Sequence, residues 1–113
     1  MNFRSIFIVF LLLLSYQTVQ AQNRVIRIAT LEWQPYVDKE SANQGFTTEI
    51  VKKAFQQSGY QVIIDFMPWS RVLKEVEAGN YDAMYPSYES SQRRNKYYFS
   101  KPFAYSPLVL FQR

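Results

Sequence analysis

The amino-acid sequence predicts an α/β domain: a mainly parallel βαβαβ sheet flanked by helices. Three observations predict it. Two short β-branched runs, residues 25–31 and 62–66, stand either side of a segment with helical apolar spacing. A second segment of helical spacing leads into a third short run at 81–85. In the first run, apolar residues fall on both parities (Val25 and Ile26, Ile28 and Ala29), the pattern of a strand covered on both faces. A strand–helix–strand order makes a parallel pair with a right-handed crossover the default connection.

The elements follow in order. Residues 1–21 stand apart from the domain. Arg4 precedes an unbroken apolar run over 6–14, and Val19-Gln20-Ala21 sets small or modest side chains before a cleavage point after Ala21. That is the pattern of a secretory signal peptide, and the run falls short of the ~20 apolar residues that a membrane span needs. The mature domain is expected over 22–113, with no stable membrane insertion after cleavage. Its first strand ends at Glu32-Trp33-Gln34-Pro35-Tyr36, where Pro35 stops the ladder and leaves Trp33 and Tyr36 on a loop. Loops at the carboxyl ends of strands are where open α/β sheets bind ligands. A polar loop over 38–45 precedes a helix capped by Thr47 or Thr48, with Glu49 in its first turn. Ile50, Val51, Ala54 and Phe55 form its apolar stripe, and Gly59 its stop. Pro68 starts the next helix; Trp69, Val72, Leu73 and Val76 share one face, and Gly79 ends it. Pro86 breaks the third strand. Ser90 then caps a short helix, a fourth strand is expected at 108–111, and Tyr97, Phe99, Phe103 and Tyr105 read as packing residues.

Composition narrows the function classes. The 113 residues are enough for one domain. Thirteen Lys and Arg against nine Asp and Glu give a formal net charge of +4, with signs alternating and no long block. That describes a mildly basic, solvated surface rather than a nucleic-acid footprint. The chain has no Cys and no His, which excludes thiol nucleophiles, Cys or His metal ligands, a His general base and a lipid-anchored cysteine. No cofactor is indicated. An exported chain that needs no disulfides suits the periplasm of a Gram-negative cell.

The candidate chemistry concentrates in residues 67–100. Trp69 and Arg71 open one helix; Tyr85, Ser87 and Tyr88 follow the third strand; Ser90 and Arg93 lie three apart at a helix start. An anion site needs backbone N–H groups at such a start and a fixed cation beside them. A cation in a first helical turn opposes the helix dipole, so Arg93 is poorly placed for stability alone. Arg94 reads as a solvent or surface-pair residue.

In order along the chain stand Trp33-Gln34-Pro35-Tyr36, Gly45-Phe46, Glu49, Gly59, Pro68-Trp69-Ser70-Arg71, Gly79-Asn80-Tyr81-Asp82, Ser90-x-x-Arg93 and Phe99-Ser100-x-Pro102. This set resembles the N-terminal lobe of the bacterial periplasmic solute-binding proteins of family 3, receptors of polar amino-acid ABC importers, and covers nearly all of the mature chain. The resemblance implies a periplasmic-binding-protein-like lobe, half of a clamshell that closes on a small solute, with an ABC permease as a further partner. It implies that Arg93, at the arginine of the family's Thr-x-x-Arg, pairs with a solute carboxylate beside the Ser90 cap. Tyr36 and Trp33 take the role of cleft aromatics, Trp69 that of a wall, and Arg71 matches a variant of the pattern. Hydroxyls just after the third strand carry ligand roles in the family, which brings in Ser87. Two departures stand out. Pro86 has no N–H to offer there and its neighbours are bulky tyrosines, unlike a site for an ordinary α-amino acid. The second lobe is absent from the 113 residues, so the resemblance implies a truncated receptor. It also admits other classes: a periplasmic enzyme of the same fold (a cyclohexadienyl-type dehydratase or a transglycosylase-associated domain), a sensory input module, or a non-functional fragment. Glu32, Glu49 and Asp82 are the carboxylates that an enzyme would have near the loop edges.

Overall fold

Seven residues, three of them Val or Ile, form β1 (Arg24–Thr30), and seven more form β2 (Tyr60–Phe66), in a computed structural model that describes residues 24–112. The expected signal segment, residues 1–21, lies outside the described residues. The two strands pair in parallel, with Ile26 opposite Val62 and Ile28 opposite Ile64. Helix α1 (Phe46–Gln57) makes the crossover between them, and α2 (Trp69–Glu77) leads to β3 (Ala83–Met84), which pairs in parallel with the other edge of β1. The sheet order is therefore β2-β1-β3. A four-residue helix, α3 (Ser91–Arg94), follows. The chain is a lobe of the periplasmic-binding-protein-like kind: a three-stranded parallel sheet flanked by helices.

The main core lies on one face of the sheet. Ile28, Val37, Val51 and Tyr85 are its buried centre, with Ile26, Val62, Ile64, Phe66 and Phe55 packed around them. On the other face α2 packs against β1 and β3 and buries Val72 completely. A fully buried Val or Ile stabilises by about 1.5–3 kcal/mol. Coverage of both faces, expected for the whole first strand, holds at its carboxyl end, where Ile28 and Ala29 are buried. It lapses at Val25, which is 48% exposed, and on β2 Ile63 is likewise 39% exposed.

Several boundaries fall where the punctuating residues put them. Gly59 and Gly79 both adopt positive φ, +81° and +78°, just past the ends of α1 and α2. Pro68 is the residue before α2, and Ser90 caps α3 by accepting the Arg93 N–H at 3.2 Å. Other expectations are corrected. Neither Thr47 nor Thr48 caps α1; Gly45 occupies that place. Both hydroxyls instead donate to loop carbonyls, Thr47 to Tyr36 at 2.7 Å and Thr48 to Gln44 at 2.6 Å. The loop crosses the helix start there, and its carbonyls need donors once buried. The buried stripe of α1 is thus Thr47, Thr48 and Val51, while Ile50 is 40% exposed. β3 is shorter than the expected 81–85, although Asp82 N and Tyr85 N still donate to Arg27 O and Ala29 O. The fourth strand does not form: residues 108–111 have no regular structure, and Leu108, Leu110 and Phe111 are exposed. Apolar composition supplies propensity, whereas a strand also needs a neighbour to pair with.

Candidate functional site

The loops after β1 and β3 emerge side by side, because those strands are neighbours in the sheet. The first loop folds back on itself: Trp33 and Val37 exchange two backbone hydrogen bonds of 2.9 Å around Pro35. This turns the rings of Trp33 and Tyr36 together, with centroids 5.1 Å apart. The second loop brings Tyr88 against Trp33, edge to face at 5.6 Å. These rings line a cavity of about 350 Å³ together with Ser87, Thr47 and the segment 99–106. Ser106 Oγ donates to Tyr36 Oη at 3.3 Å, which lays that segment along the open side.

A buried polar chain holds the two loops in register. Thr30 Oγ1 donates to the Tyr85 carbonyl at 2.6 Å, and Tyr85 Oη lies 2.8 Å from Thr48 Oγ1. Thr48 spends its one proton on Gln44 O, so the Tyr85 phenol must be the donor between them. Burial pushes the Tyr85 phenol up, which keeps that proton in place.

Arg93 stands at the rim. Its Nη1 donates to Ser87 Oγ at 3.3 Å and to Tyr88 O at 2.8 Å, and its guanidinium lies 5.5 Å from the centre of the Trp69 ring. Among the described residues it pairs with no carboxylate, whereas its neighbour Arg94 pairs with Glu89. Trp69 also faces an open groove of about 380 Å³, lined by Glu32, Phe66 and Met67. Thus Trp33, Tyr36 and Ser87 come together in the cavity. Arg93, Ser90 and Trp69 lie outside its lining: Arg93 reaches Ser87, Ser90 caps the helix that carries Arg93, and Trp69 lies against the Arg93 guanidinium. Arg71 does not join them: it lies exposed on α2, 3.7 Å from Glu75 one turn along. Tyr88, Lys101 and Ser106 line the cavity although the sequence did not mark them as site residues, and so do Phe99, Phe103 and Tyr105, of which the last two, expected as packing residues, are 42% and 91% exposed. For Tyr88 a signal existed, an aromatic beside Ser87 just past the strand break. For Lys101 and Ser106 none did, since their placement depends on how the segment after α3 folds back. Among the described residues no three acidic side chains converge as metal ligands.

A parallel lobe with rings, hydroxyls and a guanidinium at the carboxyl edge of its strands is the architecture of a solute-binding protein. Comparison with known families agrees: the model for bacterial extracellular solute-binding proteins, family 3, matches residues 26–113, and the chain belongs to that family. No curated protein and no solved structure matches it significantly. No helix among the described residues is long and apolar enough to cross a membrane.

Proposed function

We propose that this lobe binds a small solute through a carboxylate held by Arg93, in the periplasm, as part of the receptor of an ABC importer. One observation carries the reading. The Arg93 guanidinium is fixed by Ser87, Tyr88 and Trp69 but has no acidic partner among the described residues. A cation held in place without a counter-charge is suited to an incoming anion. The family's extracellular character supports the periplasmic placement, and the exported pattern of residues 1–21 agrees with it.

Binding without chemistry is the reading that the carboxylates support. Glu32 accepts two contacts from Lys39 N, at 3.1 and 3.3 Å; Glu49 pairs with Lys53; Asp82 accepts from Arg27 N at 2.8 Å. Each is committed to its own loop or helix and none lies in the cavity lining; Glu89, the carboxylate that does, is paired with Arg94.

The test is ligand-observed NMR on the full chain against a panel of small carboxylates and their neutral amides. The acids are expected to bind and the amides to fail, with Arg93→Ala abolishing the difference. Equal binding by the wild-type chain and Arg93→Ala would remove Arg93 as the anchor. The cavity is open on one side, so dissociation constants near the millimolar range are expected, since well-held ligands have roughly 70–90% of their surface covered.

A further inference from the structure

The cavity beside Arg93 has a chemistry of its own. Six aromatic side chains line it: Trp33, Tyr36 and Tyr88 from the strand-end loops, and Phe99, Phe103 and Tyr105 from the segment that crosses its mouth. Its volume, about 350 Å³, is at the small end of the range for ligand pockets, about 300–1,000 Å³, and suits one ring rather than two. The Trp33–Tyr36 and Trp33–Tyr88 contacts are tilted and edge-to-face, at 49° and 65°. A further ring extends such a cluster with the same geometry.

The charges lining the cavity favour an anionic ligand. Glu89 is neutralised by its pair with Arg94. Lys101 lines the same cavity and makes no ion pair among the described residues. With Arg93 behind Ser87, the uncompensated charges in and directly behind the cavity lining are positive, while Glu32 borders the separate groove beside Trp69. We infer that the solute is a single-ring aromatic carboxylate, its ring among Trp33, Tyr36 and Tyr88 and its anionic group attracted by Lys101. The inference rests on the proposed reading of an anionic solute and adds the body of that solute and a second cation.

Four probes separate the terms: phenylacetate, cyclohexylacetate (the same acid on a saturated ring), 2-phenylethanol and phenethylamine. Each is titrated into the ¹⁵N-labelled full chain. The chain has two indole N–H groups, on Trp33 and Trp69, so the ring contact is read directly. Phenylacetate is expected to bind up to about tenfold more tightly than cyclohexylacetate, the size of one favourable ring–ring contact, and more tightly than the alcohol and the amine through its charge, with the larger indole shift at Trp33. Lys101→Gln, an exposed substitution, is expected to weaken phenylacetate several-fold while leaving 2-phenylethanol unchanged. Equal binding of cyclohexylacetate and phenylacetate would overturn the aromatic preference and leave the carboxylate reading standing. Equal or tighter binding of the alcohol or the amine would overturn the charge assignment. Failure of both ring acids where a small aliphatic carboxylate binds would overturn this inference alone, and failure of every carboxylate would overturn it and the proposed function together.

Discussion

A methyl group at position 45 would fall onto the backbone of Tyr36 and Val37, 2.8 Å from Val37 Cα. Gly45 also holds φ at +89°, where a side chain is strained, so two separate costs meet at one residue. Gly45→Ala is expected to destabilise the chain by at least about 1–3 kcal/mol, read from urea unfolding, and to shift the Tyr36 ring signals. The phenol of Tyr85 is a second such point. Tyr85→Phe keeps the packing but removes the donor to Thr48, leaving a buried hydroxyl with one acceptor site unmet. A loss of about 1–2 kcal/mol is expected in the same assay. Arg93→Lys should bind solute more weakly than wild type although the charge is kept. An ammonium on a flexible stem does not reproduce a planar guanidinium laid across Trp69 and fixed by Ser87 and Tyr88.

Elements were legible where a residue's own backbone preference and its tertiary surroundings agreed. Gly59, Gly79, Pro68 and Ser90 each end or begin an element where their chemistry dictates. The apolar face of α2 was readable as spacing, and Val72 is its fully buried member. Val72→Ala is accordingly expected to cost about 1–3 kcal/mol by thermal or chemical unfolding. What the sequence did not disclose depended on partners far along the chain. Thr47 and Thr48 have the residue type of caps, yet their hydroxyls serve carbonyls of a loop whose path no local pattern encodes. Residues 108–111 have the apolar content of a strand without a strand beside them. In the site, Trp33 and Tyr36 were readable as loop aromatics beyond a strand end. That Arg93 would be bound to Ser87 and Tyr88, and that Lys101 would come round to the cavity, follow only from the fold.

Across the molecule, one contact set couples the helices that flank the site. Glu77, at the last turn of α2, accepts from Tyr97 Oη at 2.8 Å and from Lys96 Nζ at 3.0 Å, both just beyond α3. The Tyr97 hydrogen bond and then Lys96 hold the Glu77 carboxyl below its usual range, while burial and the Glu77 contact push the Tyr97 phenol up. The lowered Glu77 stabilises the fold above the ordinary carboxylate value, and that contribution is lost as pH falls through its lowered one. The raised Tyr97 contributes below the ordinary phenol value, and that part is lost as pH rises through the raised one. The latch therefore holds between the two limits and weakens beyond either. Glu77→Gln should flatten the acid side of a plot of melting temperature against pH; an unchanged acid limb would show the latch to be idle.

The sheet order has a consequence for how the chain is born. β1 lies at the centre, but its second ladder partner, β3, arrives about 55 residues later. At roughly 5–20 residues per second of synthesis, that strand spends several seconds with a bare edge and with Ile28 and Ala29 uncovered. During that interval the nascent segment is a ready substrate for any holdase that grips extended apolar chain. The aromatic edge, which needs β1 and β3 in place together, is the last part of the lobe to be made.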